Sequence, residues 1–296
     1  MYLTGFADEA GKDIDIQIRA TRELGWSNIE LRATSHGNIA EMTDEHFETL
    51  CGKLDAAGVS VNCFGSGIAN WQKSLFEPPD SSYEELIRAL PRLERLGTKM
   101  VRIMSFKCPE DASVNTPEIE AEVVKRMKRL AEIAEDGGVL LVHENCDNWG
   151  GRSYEHTLRI LEAVDSPNLR LVFDTGNPCF RKDVRFGASE PFAYQDAWEF
   201  YGNVKDFIEY IHIKDAVIRE GEASFTMPGE GNGHVVDILS SLLGRGYEGG
   251  ISIEPHLAVV FHDAAVESEA GVMYSNYVEY GKRLVEILGQ IKGGTV

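Results

Sequence analysis

Short apolar runs that alternate in character recur along this chain, and each precedes a longer stretch with apolar residues three and four apart. The runs at 2–6, 27–32, 59–65, 99–105, 139–144, 169–174, 210–214 and 250–254 have the length and alternation of strands. Helical spacing follows at 14–24, 44–57, 80–96, from 117 to about 134, and at 153–164, 193–206, 234–246 and 274–291. Thr43 and Asp13 stand where N-caps belong; Gly25, Gly58, Gly97 and Gly137-Gly138 stand where helices stop. The most regular helix opens at Pro117 and places Ile119, Val123, Met127, Leu130 and Ala134 on one face. Stretches 65–80, 176–192 and 217–233 read as long loops, the second of a length that often forms a lid. Eight strand–helix alternations without a linker or low-complexity break predict an α/β chain folded as a single (β/α)8 TIM barrel over residues 1–296. An open doubly wound sheet has the same periodicity. Polar inward positions on the last two strands favour closure.

Those positions carry the chemistry. In the run Tyr210-Ile211-His212-Ile213-Lys214, the isoleucines share one face and Tyr210, His212 and Lys214 share the other. Barrel interiors are mostly packed with Val, Ile and Leu, so His212 needs a hydrogen-bonding role or a ligand. Three other apolar runs end on carboxylates, at Glu144, Asp174 and Glu254. Successive members of this set lie about one strand–helix unit apart, so parallel strands bring all four side chains to one mouth. Three carboxylates and an imidazole do not sit together dry and unpaired; a divalent cation resolves the conflict. Oxygen-rich donors favour Mn²⁺ or Mg²⁺, and the imidazole admits Co²⁺ or Zn²⁺.

Composition removes whole classes of function. Forty-eight acidic residues against 29 basic ones leave a net charge of −19, opposite to the basic field of a nucleic-acid binder. Hydrophobic residues make up 43%, enough for a large core, but no run reaches the roughly 18 residues of a membrane span. The N-terminus lacks a basic-then-apolar signal pattern, and five cysteines without repeated spacing suit reduced thiols; both predict a cytoplasmic protein. Nothing reads out the oligomeric state, and a homo-oligomer is compatible with it. No GxSxG elbow is present to support acyl transfer by serine.

The ordered segments HEN, FDTGN, IHIKD, PGEGNG and SIEPH, with GFADE and NIELR at the start, resemble the xylose isomerase-like TIM-barrel superfamily of sugar phosphate isomerases and epimerases. That resemblance implies Glu144, Asp174, His212 and Glu254 as metal ligands, with Glu144 and Glu254 as the acid/base pair and Mn²⁺ as the leading ion. It implies a small-molecule carbohydrate substrate; the acidic charge and the lack of a long apolar run predict no nucleic acid or membrane partner. The family's ketose epimerases carry a histidine just past the strand-six aspartate, where this chain has Asn177. They also carry a GEANR-like run after the strand-seven histidine, where Lys214 and Asp215 stand here.

Further substrate-binding candidates are Asn177, Lys214, His256, Glu230, Arg102 and Trp71, all on or near the expected mouth. Each has a more ordinary reading. Lys214 and Arg102 could be internal salt-bridge partners, His256 and Glu230 plain loop residues, Trp71 and Trp149 loop packing. His143 has the opposite parity from Glu144 and is expected to face the helices. Gly229, Gly231 and Gly233 could cradle a phosphate with their N–H groups; Arg181, Lys182 and Arg185 could meet one, or form a solvated charge run. The leading expectation is a metal-dependent isomerase or epimerase. A metal-dependent dehydratase of a keto-inositol-like substrate and a non-catalytic sugar-binding barrel are the alternatives. The superfamily's DNA-repair endonuclease branch needs a multi-metal histidine cluster and a basic groove. Here only His143, His212 and His256 lie near strand ends.

Overall fold

The computed structural model describes residues 1–109, 113, 115–186, 193–257, 259–260, 263–267 and 269–294. In chain order it forms β1 (Tyr2–Gly5), α1 (Ile14–Glu23), β2 (Asn28–Leu31), α2 (Asp44–Ala57), β3 (Ser60–Gly65), α3 (Asp80–Leu96), β4 (Met100–Ile103) and α4 (Pro117–Asp136). There follow β5 (Leu140–Glu144), α5 (Tyr154–Val164), β6 (Leu169–Asp174), a single turn α6 (Asn177–Phe180), α7 (Ala197–Val204) and β7 (Ile208–Ile213). The hairpin β8 (Ala216–Arg219) and β9 (Glu222–Phe225), then α8 (Val235–Gly244), β10 (Gly250–Ile253), the short pair β11 (Val259–Val260) and β12 (Asp263–Glu267), and α9 (Ala270–Gly293) complete it.

Eight strands pair in parallel in the order β1-β10-β7-β6-β5-β4-β3-β2. A parallel bridge between Phe6 and Glu30 joins the two outer strands and closes the barrel. Local signals start the helices: Asp13, Thr43, Thr116, Ser153 and Asp196 each accept a first-turn N–H through the side chain. Gly58 and Gly97 end α2 and α3 in the left-handed conformation. Alternation then sorts the side chains. Ile211, Ile213, Phe173, Ile251 and Ile253 face outward into the core between strands and helices. Inside, Cys63, Val142, Val172 and Tyr210 make a small apolar plug with Tyr2, Met100 and Leu140 packed against it, and the mouth above it is left to polar groups. No helix among the described residues is long and apolar enough to cross a membrane.

Three expectations are corrected. The stretch after β7 is not a plain loop: β8 and β9 pair in antiparallel register from Ala216↔Phe225 to Arg219↔Glu222. Its turn is Glu220-Gly221, both at positive φ, which the sequence signals by one glycine only. The final helix starts at Ala270, four residues before the predicted point. The predicted helix at 193–206 is shorter, Ala197–Val204, capped by Asp196 and followed by a 3-10 turn. In the lid-length connection after β6, residues 187–192 lie outside the described residues.

Candidate metal centre

The strand ends meet as the alternation requires. Asp174 and His212 are paired neighbours across β6 and β7, and Ser252 lies opposite His212 on β10, which puts Glu254 two residues further up. Glu144, Asp174, His212 and Glu254 are all buried and offer one ligand atom each within 4.8 Å of one another. His212 Nδ1 lies 3.8 Å from Glu144 Oε1 and 3.9 Å from Glu254 Oε2, too far for hydrogen bonds.

Each side chain is aimed by its neighbours. Asp174 Oδ1 accepts the N–H groups of Gly176 (2.9 Å) and Asn177 (2.7 Å), which leaves Oδ2 toward the cavity. Asn145 ties the ends of β5 and β6 together, donating to the Asp174 carbonyl and accepting its N–H. Glu144 is held by Arg102 Nε at 3.3 Å and by the Asn177 amide at 3.1 Å. His212 Nε2 lies 3.0 Å from Glu30 Oε2. That contact engages Nε2 with Glu30, so Nδ1 is the ring atom turned to the cavity, able to present its lone pair to a ligand once its own proton is released. Glu30 also accepts from the Tyr210 and Ser252 hydroxyls, at 2.8 and 2.7 Å. Glu254 meets Arg32 Nη1 at 3.0 Å and Lys214 Nζ at 2.7 Å. Lys214 also reaches Asp174 Oδ2 at 3.2 Å and donates to Asn177 Oδ1. Gly176 allows that approach, since a Cβ there would fall 2.7 Å from Lys214 Cγ.

Charge around the mouth is unbalanced. Asp8, Glu9, Glu30, Glu144, Asp174 and Glu254 are six buried carboxylates facing the fixed cations Arg32, Arg102 and Lys214. Burial raises Asp174 to about 6 even with Lys214 beside it. Burial would raise Glu144 too, but Arg102 and the nearby His212 hold it at about 2. Glu254 is likewise pulled well below the usual carboxylate range, against burial, by Lys214, His256 and Arg32. His212 is lifted to about 10 because Glu30 and Glu144 outweigh burial. Among the described residues, His212 Nδ1 is buried without a hydrogen bond, and Asp174 Oδ2 and Glu254 Oε2 have the Lys214 ammonium as their cationic neighbour. Buried lone pairs aimed at one point, with surplus negative charge, fit a divalent cation.

A narrow cavity opens onto this cluster. Arg102, Trp71, Asn177, Lys214 and His256 line it, together with Arg32 and Phe180. Glu230 does not: it is exposed, and its N–H returns to the Met227 carbonyl. The phosphate-cradle expectation is overturned. The N–H groups of Gly229, Gly231 and Gly233 all donate to the Asp215 carboxylate at 2.8–2.9 Å, so this loop is wrapped around a buried acid. Trp149 is fully buried against His156 rather than presented at the mouth. His143 faces outward as its parity requires, with Nε2 3.0 Å from Ser105 Oγ.

The residues that sequence reasoning missed lie on the first two units. Glu9 accepts both the N–H (2.8 Å) and ring Nδ1 (3.0 Å) of His256, whose φ of +54° is strained for a residue with a Cβ. Asp8 and Glu9 together grip Arg32, which stacks over the Phe6 ring at 4.3 Å. Glu30 had a readable signal: an acid between Ile29 and Leu31 must face the barrel interior.

Solved structures share the whole fold. A D-tagatose 3-epimerase-like protein superposes with a TM-score of 0.72 at 19% identity, covering 100% of both chains. A xylose isomerase-like TIM barrel protein from Mycobacterium smegmatis in complex with magnesium gives 0.68 at 17%, covering 97% of each. The probable 3-DHS dehydratase AsbF of Bacillus anthracis, involved in petrobactin synthesis, gives 0.67 at 16%, covering 96% of this chain and 98% of its own. In sequence, 180 residues are 27% identical to the uncharacterized protein MJ1311 of Methanocaldococcus jannaschii. That match spans 52% of this chain and 57% of the curated relative, less than two thirds of its length. Residues 18–275 match the family described as xylose isomerase-like TIM barrel, and the chain belongs to that family.

Proposed function

We propose that this protein is a divalent-metal-dependent isomerase or epimerase of a sugar, sugar phosphate or related hydroxy-ketone. The observation that carries the reading is the convergence of four buried ligand atoms from four strand ends within 4.8 Å. Glu144, Asp174, His212 and Glu254 hold the ion, Mn²⁺ first and Mg²⁺ next, given three oxygen donors and one imidazole. When bound, such an ion supplies Lewis-acid polarisation and offsets the negative charge that forms beside a carbonyl. The protein's own residues do the rest. Glu144 and Glu254, kept ionised by Arg102 on one side and Lys214 with Arg32 on the other, take and return the proton of the carbon next to the carbonyl. Return to the neighbouring carbon gives isomerisation; return to the opposite face of the same carbon gives epimerisation. Asn177, Lys214, His256, Arg102 and Trp71 line the cavity and orient the substrate hydroxyls.

Lys214 supports a second reading. Its ammonium sits inside the acid cluster at 2.7 Å from Glu254, where a proton donor could assist departure of a hydroxyl. Loss of water from a keto-polyol would then follow proton removal, and one structural neighbour is a probable dehydratase. The test is a panel of ketoses, ketose phosphates and inosose-type ketones with Mn²⁺-loaded protein in D₂O, followed by NMR. Deuterium uptake with a rearranged or inverted product supports the first reading; a new C=C or diketone supports the second. No uptake and no turnover across the panel, by protein that holds one ion per chain, overturns both and leaves a binding barrel.

A further inference from the structure

A second, roomier cavity lies against the site cavity, and Cys146, Phe180 and Arg181 line both. We propose that it holds an acidic group, phosphate or carboxylate, at the end of the substrate remote from the carbonyl; this rests on the function proposed above. Arg152, Arg181 and Lys182 line its wall. Arg152 is only 8% exposed, yet among the described residues it has no carboxylate partner. Its Nε meets Cys108 Sγ at 3.0 Å and its Nη2 the Cys108 carbonyl at 3.4 Å. A guanidinium stays charged under all ordinary conditions, so burying it against sulfur and a carbonyl leaves its charge without a counterion among the described residues. Arg181 is the second cation: its Nε is buried without a hydrogen bond among the described residues. Its Nη1 reaches Asp147 only at 3.5 Å, and its guanidinium lies 5.1 Å over the Phe180 ring.

The neutral groups of the wall are already committed. Gln195 donates to the Gly151 and Arg152 carbonyls, and Asn148 Oδ1 accepts from Gly151. Asp147 is the one acid in this lining against Arg152, Arg181 and Lys182, so the recess is cationic on balance in a chain of net charge −19, one wall away from the cluster where the carbonyl would sit. Planar guanidinium groups match the paired oxygens of phosphate and carboxylate.

Inorganic phosphate, titrated calorimetrically into Mn²⁺-loaded and EDTA-stripped protein, is the first probe. Binding of one phosphate per chain in both states, weakened about tenfold or more by Arg181→Gln and by Arg152→Gln with metal stoichiometry unchanged, is the expected result. Should Arg152→Gln fail to fold, the partly exposed Arg181→Gln decides alone. Unaltered phosphate affinity in a folded variant, or binding that vanishes with the metal, overturns the proposal. KM for a ketohexose phosphate and a keto-hexonate, each set against the uncharged ketohexose, then separates the two acids. A rise of about tenfold in Arg181→Gln for one charged substrate alone identifies that acid, and equal KM for charged and uncharged substrates in the parent overturns the subsite. Phosphate binding that survives Asp174→Asn, while no substrate turns over in the parent, would sink the proposed function and keep the recess.

Discussion

The two halves of the barrel do different work. Strands β5, β6, β7 and β10 end in Glu144, Asp174, His212 and Glu254, the atoms that could touch an ion. Strands β1, β2 and β4, with the turn after β1, bring Asp8, Glu9, Glu30, Arg32 and Arg102, which touch those ligands or brace their neighbours. The first group sets what chemistry is available. The second sets orientation, tautomer and charge. Two buried histidines show how strongly the partners decide. His156 lies between Ser153 and Asn115, and burial pushes it down to about 4. His212 is equally enclosed, but Glu30 and Glu144 lift it to about 10.

The contrast can be broken from either side. Asp174→Asn removes an ionised ligand, so stoichiometric Mn²⁺ binding should fall more than about a hundredfold, beyond what changes outside the ligand set usually cause. Elemental analysis after gel filtration checks this, and full retention of the ion would place the metal elsewhere. Arg32→Met leaves Asp8, Glu9 and Glu254 facing one another with their shared cation gone. Metal-free protein should lose about 3–5 kcal/mol in urea unfolding. A loss below about 1 kcal/mol would mean the bracing half contributes little.

Smaller effects sharpen the picture. Glu30→Gln keeps every ligand but weakens the acceptor that sets the His212 tautomer, so Mn²⁺ affinity should drop about 10–100-fold by calorimetry. An unchanged affinity would show that ring orientation comes from Phe6 and Tyr210 packing alone. For His156 the sign follows from its depressed folded value. Above about 6.5 neither state binds the proton and its contribution is fully present. As pH falls from 6.5 toward 4, the unfolded chain takes a proton that the folded one refuses, and stability is lost. Between pH 7 and 5, His156→Gln should therefore lose about 2 kcal/mol less than the parent by urea midpoints. Parallel pH profiles would show that the ring titrates normally in the fold.

Much of the ligand half was legible because it needs only two local rules. Parallel strand–helix units put every strand end at the same mouth, and a period of two tells which side chain faces in. Glu144, Asp174, His212 and Glu254 obey both, and His143 obeys the second by facing out. In the bracing half Arg102 was readable as an internal salt-bridge partner, but Asp8, Glu9 and Glu30 escaped because they act on other residues, and pairings such as Arg32 with Glu254 or Glu9 with His256 join opposite ends of the chain. The Gly229–Gly233 segment misled for a related reason: free N–H groups in sequence look available until Asp215 is seen to accept them.

Sequence alone therefore determined the eight strand–helix units, their polarity and the four inward groups at the mouth, because alternation and helix spacing are local properties of the chain, while the Phe6–Glu30 bridge that closes the sheet is seen only in the fold. Tertiary structure decided which cation neutralises which carboxylate, which nitrogen of His212 faces the cavity, and that Arg152 has no acid beside it among the described residues. Those outcomes depend on distances between side chains far apart in sequence. Electrostatic energy inside a protein changes by kilocalories over an ångström or two, and only the folded chain sets those separations.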